Sequence, residues 1–221
     1  TLLAENSKSE VSRLEDREWT RVWMDDFAPI QMGRRLWICP SWTEPPDEAL
    51  VNVMLDPGLA FGTGTHATTA MCLGALDAAL SGGESVVDFG CGSGILAIAA
   101  LKLGASNALG IDNDPQALVA SRDNAARNQI SADQFDAVMP EDGMLSAWSN
   151  IADVVVANIL AGPLLSLAHE LTHLMAPGGR LLLTGVLEEQ AAQLIEHYAH
   201  VGLEVIDRRD GWVLLSGVKP A

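Results

Sequence analysis

The chain has 221 residues, a formal net charge of -16 and 48% hydrophobic residues, which fits one α/β domain with an appendage and a single sizeable core. Its apolar stretches are interrupted by Lys102, Asp153 and Pro163, so none reads as a membrane span, and the polar start TLLAENSKSE lacks the basic region of a signal peptide. Cys39, Cys72 and Cys91 are too few and too scattered for a disulfide framework or zinc site, which points to a reducing cytoplasm, while the acidic balance argues against a direct nucleic-acid substrate and favours a basic protein.

The chain opens without methionine and in mid-sequence composition, as a piece of a longer protein would. Residues 9–27 place Leu14, Trp19, Val22 and Trp23 on one face of an amphipathic helix that ends before Pro29. Residues 30–39 and 49–55 alternate as short strands on either side of the Pro45-Pro46 turn. The tryptophans of this region read as packing anchors between linker and domain. A Gly/Thr-rich segment, 55–69 (LDPGLAFGTGTHATT), then runs into a helix beginning near Thr65, which Gly82-Gly83 terminates. From there strand-like runs alternate with helices. The strands are 85–89, 107–112, a weaker 135–139, 152–158 and 179–184. Helices are expected over 161–175 and 187–201, with Pro177-Gly178-Gly179 separating the first from the next strand. Residues 203–207 and 212–218 form a closing hairpin through Asp210-Gly211. The alternation implies a mainly parallel, doubly wound sheet whose last strand is antiparallel.

The most informative segment is SVVDFGCGSG at 85–94, followed by Asp112 at the end of the next apolar run. Gly90, Gly92 and Gly94 clear the Cβ atoms that would keep a ligand from the backbone. The free N–H groups of the following helix can then meet a polar ligand group. Asp112 stands where a carboxylate accepts both ribose hydroxyls. A dinucleotide fingerprint needs its third glycine at position 95, which is Ile95, and no Gly-Lys-Ser/Thr follows for a P-loop. An acidic residue, Asp88, ahead of G-x-G-x-G, with a second at the next strand end, is similar to the class I S-adenosylmethionine-dependent methyltransferases. Cys91, inside the loop, is explained by its small size. Asp114, before Pro115, suits the first turn of a helix better than the ribose.

Segment 55–69 together with VVDFGCGSGILAIAALKLGA, GIDNDPQAL and VVVANILAGPL closely resembles the PrmA family of bacterial methyltransferases, which act on large-subunit ribosomal protein L11. The likeness runs from about Trp19 to Val218 and includes RVWMDDF, RRLWICPSW and LLLTGVLEEQA. It implies a Rossmann-like, seven-stranded class I fold with S-adenosyl-L-methionine as cofactor. Residues 1–28 then represent the tail of a substrate-recognition module plus a linker helix, and 29–221 the catalytic domain. Matched position by position, it assigns cofactor contacts to Thr69, Gly90, Asp112 and Asn158. His66 lies near this site as a candidate to orient substrate or as a structural residue.

Asn158 leaves a buried strand at the carboxyl edge of the sheet, where open α/β folds bind ligands. Ile159 and Leu160 follow it in place of the two prolines that form the flat clamp of nucleobase and glutamine-amide methyltransferases. An aliphatic amine is therefore the expected target, with Asn158 holding the amine in line. The alternative role for Asn158 is to cap the following helix. The resemblance implies methylation of lysine side chains and the α-amine, up to the trimethyl state, without a metal. Competing readings are a methyltransferase of a small-molecule amine or another basic protein, a dinucleotide oxidoreductase, and a binding module that has lost catalysis.

Overall fold

The computed structural model describes residues 28–56 and 66–221, so the expected helix at 9–27 and most of the Gly/Thr segment lie outside the described residues. The chain begins with a hairpin, β1 (Ile30–Met32) and β2 (Leu36–Cys39), paired antiparallel. The single strand expected over 30–39 is thus two, because Gly33 turns back with φ 79°. A third strand, β3 (Val51–Met54), pairs parallel to β2 and completes a small sheet.

The larger sheet is built from β4 (Ser85–Phe89), β5 (Asn107–Ile111), β6 (Phe135–Val138), β7 (Ala152–Asn158), β8 (Met175–Leu187), β9 (Glu204–Arg209) and β10 (Trp212–Val218). Its order is β6-β5-β4-β7-β8-β10-β9, with β10 antiparallel to both neighbours. This is the expected seven-stranded sheet with an antiparallel last strand. The closing hairpin turns at Asp210 and Gly211, both with positive φ (52° and 80°), as the sequence pair required.

Helices cover both faces, so the central strands are continuous apolar runs rather than alternating ones. Over one face lie α1 (Ala67–Ala79), α2 (Ile95–Lys102) and α3 (Pro115–Arg127). Val86, Ala108, Val154, Val156 and Leu214 meet them in a core that also takes in Leu36, Ile38 and Val53 of the small sheet. A short α4 (Met144–Ala147) precedes β7. Against the opposite face pack α5 (Ala161–Ser166), α6 (Ala168–Leu174) and α7 (Ala191–His197), through Leu164, Leu171, Leu194 and Tyr198.

Four boundaries depart from the sequence reading. Helix α1 ends at Ala79, with Leu80 extended, before Gly82-Gly83 is reached. The helix expected over 161–175 breaks at Leu167 into α5 and α6, and the one over 187–201 contracts to α7 with 3-10 turns at Glu188–Gln190 and Ala199–Val201. Pro177-Gly178-Gly179 does not precede the next strand but bulges from it. Pairing with β7 jumps from Ala152↔Met175 to Val154↔Arg180, which absorbs the extra residues.

Among the described residues no helix is long and apolar enough to cross a membrane, and no group of three or more His, Cys, Asp or Glu side chains is placed to hold a metal ion. Cys39, Cys72 and Cys91 are all buried free thiols.

Candidate active site

The chain runs from β4 outward to β5 and β6, then returns across β4 to β7, so the connections diverge between β4 and β7. Ligands of open α/β sheets bind beyond the carboxyl ends of strands at such a switch point. Phe89 of β4 pairs with Ala157 of β7, which sets Gly90 beside Asn158. A cavity of about 520 Å³ opens there, and Thr69, Gly90, Asp112 and Asn158 all line it. The four positions come from α1, the β4–α2 loop, the end of β5 and the end of β7, and the fold brings them together.

The loop is fixed by its neighbours. Gly90 and Cys91 donate to the Ile111 carbonyl at 2.7 and 3.0 Å, and Gly92 N–H donates to Asp112 Oδ2 at 2.8 Å. Gly90 has φ 78°, and a Cβ there would collide with Ile159 Cγ2. Gly94 also has φ 78°, and its missing Cβ lets α2 approach α3, since that atom would stand 2.8 Å from Ser121 Cβ. The early third glycine therefore packs helix against helix. Cys91 fits because Gly110 leaves room beside its Sγ.

Asp88 is fully buried beneath this loop and does not line the cavity. One carboxylate oxygen accepts from Ala97 N–H at 3.2 Å, the third residue of α2, whose N-cap Gly94 has no side chain to offer. The acid ahead of the glycines is thus a cap supplied by a neighbouring strand. Burial, reinforced by the Asp112 charge and opposed by the Ala97 amide, pushes its pKa up to about 7.

Asp112 reaches the cavity while accepting from Gly92 and, through Oδ1, from Asp114 N–H at 3.0 Å. Asp114 is the N-cap of α3, accepting from Gln116, one position ahead of the first turn expected for it. Asn158 does not cap a helix: the N-cap of α5 is Leu160. Its Nδ2 instead donates to Thr69 Oγ1 at 3.3 Å. His66 is the N-cap of α1, with Nδ1 2.7 Å from Thr68 Oγ1 and its ring edge-on to Trp212 at 5.3 Å. It does not line the cavity. Sequence reading missed Asn113, Pro140 and Glu141, which line the cavity beyond Asp112. The Pro-Glu-Asp that follows β6 was the available signal, since Asp112 and Asn158 likewise stand at strand ends of this edge.

The lining suits a cationic nucleoside. Asp112 and Glu141 supply negative charge and acceptors, Ile95, Pro140, Pro163 and Leu167 supply an apolar body, and no basic side chain stands among the described lining residues. A pyrophosphate would need the Gly92 amide, which Asp112 already holds, and would face that carboxylate.

Sheet order and site together define a class I S-adenosylmethionine-dependent methyltransferase fold. The family description Ribosomal protein L11 methyltransferase (PrmA) matches residues 1–220. The chain belongs to this family. It is 55% identical over 219 residues to a ribosomal protein L11 methyltransferase of Vibrio cholerae, covering 99% of this chain and 73% of that protein. It is 55% identical over 212 residues to one of Pseudomonas paraeruginosa, covering 96% and 71%. A crystal structure of a ribosomal protein L11 methylase from Lactobacillus delbrueckii subsp. bulgaricus superposes with a TM-score of 0.75 at 32% identity, over 88% of this chain and 100% of that one. A precorrin-6y methyltransferase from Geobacter metallireducens shares the fold alone, with a TM-score of 0.55 at 18% identity over 69% and 87%.

Proposed function

We propose that this chain transfers methyl groups from S-adenosyl-L-methionine to lysine side-chain and α-amino groups of ribosomal protein L11. The observation that carries the reading is the meeting of Asp112, Gly90, Thr69 and Asn158 in one acidic cavity at the sheet's switch point. Family membership supports the substrate. Residues 29–221 form the catalytic domain, acting in the cytoplasm where ribosomes are assembled.

The bound sulfonium supplies an activated methyl group, so the protein's work is alignment and exclusion of water. Asp112 accepts the ribose hydroxyls, and the Gly90 loop admits the cofactor to the backbone. The apolar walls lower the pKa of an entering amine. That matters because a lysine with a pKa of about 10.4 is only about 0.04% neutral at pH 7. The target amine loses its proton to water before attack, and Asn158 holds it in line. Turnover on lysine therefore rises with pH, and a profile flat from about pH 6 to 10 contradicts this proton path.

Calorimetric titration of S-adenosylmethionine into the chain and into Asp112→Ala tests the site. Loss of a charged partner weakens binding by about 1.5–3 kcal/mol, roughly ten- to hundredfold. Methyl transfer to the ribosomal protein but not to free lysine then separates the protein substrate from a small amine.

A further inference from the structure

A sheet that does not close on itself ends in two strands whose outer backbone groups invite a further strand, including that of a second copy. In the seven-stranded sheet those strands are β6 and β9. We propose that side chains stand in for the missing neighbour at both edges, so that the chain does not pair edge to edge with a second copy of itself. On β6 the outward groups can be assigned. Ala108 N–H donates to the Gln134 carbonyl at 2.8 Å, and Asp112 N–H to the Val138 carbonyl at 3.2 Å. Successive residues of a strand present their backbone groups to opposite sides, so Phe135 and Ala137 turn theirs away from the sheet. Phe135 N–H donates to the Ser131 carbonyl at 3.1 Å. At Ala137, Asp136 Oδ1 accepts from the N–H at 2.7 Å, and Arg122 Nη2 of α3 donates to the carbonyl. Arg122 and Asp136 are themselves paired at 3.3 Å.

The same device recurs at β9. Asp207 Oδ1 accepts from Arg208 N–H at 2.8 Å, and Asp207 Oδ2 lies 3.8 Å from Arg209 Nη2. Pairing with β10 jumps from Asp207↔Leu214 to Val205↔Leu215, so Ile206 is bulged out and interrupts the edge further. Asn128 likewise occupies both backbone groups of Met54 on β3, at the edge of the small sheet. Stability does not account for Arg122 and Asp136, whose side chains are 51% and 41% exposed, because ion pairs open to water add little. Their position gives them a use. Strand β6 runs through Met139 into Pro140 and Glu141, which line the active cavity. A second copy paired along β6 would stand beside that cavity, in the way of the protein substrate proposed above.

The test compares the parent chain with Arg122→Ala/Asp136→Ala, which removes one charge of each sign and leaves the formal net charge at -16. Sedimentation velocity is run in about 0.3 M salt, where repulsion between acidic copies is screened beyond about 6 Å. From about 1 to about 300 µM the parent keeps the mass of one chain, while the double variant rises towards the mass of two. Exchange of the Ala137 amide proton in the double variant slows about tenfold over the same range, which places the contact on β6. Arg122→Lys/Asp136→Asn keeps a donor and an acceptor at the edge and stays single. Dilute samples of the double variant unfold within about 0.2 M urea of the parent. A double variant that stays single up to the highest concentration overturns the proposal. So does association that leaves the Ala137 amide unprotected, or a parent chain that itself pairs through β6. A urea midpoint well below the parent's also overturns it, and makes the pair a stabilising clasp between α3 and β6.

Discussion

Asp88 carries an ionisable group without water, and its charge is set by what surrounds it. Its Oδ1 has no hydrogen-bond partner in the described structure, and its pKa is pushed up to about 7 by burial first and by Asp112 second. The folded carboxyl keeps its proton up to about pH 7, whereas the unfolded one releases it near 3.8. Between those values the folded state binds more protons, so Asp88's contribution to stability is fully present below about pH 4 and is lost as pH rises through about 7. Asp88→Asn should match the parent at low pH and exceed it by about 4 kcal/mol at pH 8, measured by urea denaturation. A variant less stable at every pH would show that the charge itself is needed at the α2 N-terminus. Gly90 imposes a second residue-level demand, combining a left-handed backbone with the Ile159 side chain against it. Gly90→Ala is expected to cost about 2–4 kcal/mol. Adding Ile159→Ala should recover the steric part and leave the backbone strain. At this scale glycines and strand ends marked Gly90, Asp112 and Asn158 locally, whereas Thr69 came from the family resemblance alone, and all four line one cavity. The capping role of Asp88 was not readable, since it depends on how β4 sits beneath α2.

Elements are joined by clasps that link residues far apart in the chain. Asn128, at the end of α3, treats the open edge of β3 as a neighbouring strand would: its Oδ1 accepts from Met54 N–H at 2.7 Å and its Nδ2 donates to Met54 C=O at 2.8 Å. Asp77 of α1 grips the β1–β2 turn, accepting from Arg34 N–H at 2.6 Å and from Arg35 Nε at 2.9 Å. Burial alone would raise the Asp77 pKa, but the Arg34 and Arg35 amides and the Arg35 guanidinium hold it below the usual carboxylate range. Asn128→Ala strands both Met54 backbone groups and should cost about 1–3 kcal/mol by chemical denaturation. An unchanged midpoint would mean that water replaces the amide at that edge. No local pattern announces these clasps, which span 74 and 43 residues. The strands, by contrast, were legible, because two-sided burial writes them as unbroken apolar runs such as VVV at 154–156. The break at Leu167 was hidden because the apolar periodicity continues through it: Leu164 and Leu171 face the core while Leu167 turns to the cavity.

The molecule as a whole presents a negative field to its substrate. Besides the formal charge of -16, the active cavity and the adjoining flank of α3 are lined by Asp56, Asp112, Asp114, Asp123 and Glu141, with Arg127 the one basic residue among the described lining. Arg127 is itself paired to Asp56 at 3.5 Å. Such a surface attracts a basic protein, the substrate class proposed above, from beyond contact distance, and salt screens that attraction over about 8–10 Å at physiological strength. Raising salt from about 50 to about 300 mM should lower kcat/KM for the ribosomal protein about tenfold and leave kcat nearly unchanged, because steering acts on encounter and not on the methyl transfer that follows. Asp123 is exposed on α3 and does not line the active cavity. Asp123→Lys should therefore reduce kcat/KM at low salt, flatten the salt slope, and preserve cofactor affinity. If kcat/KM is instead insensitive to salt, the acidic surface serves solubility alone, and recognition rests on short-range contacts around Asn158.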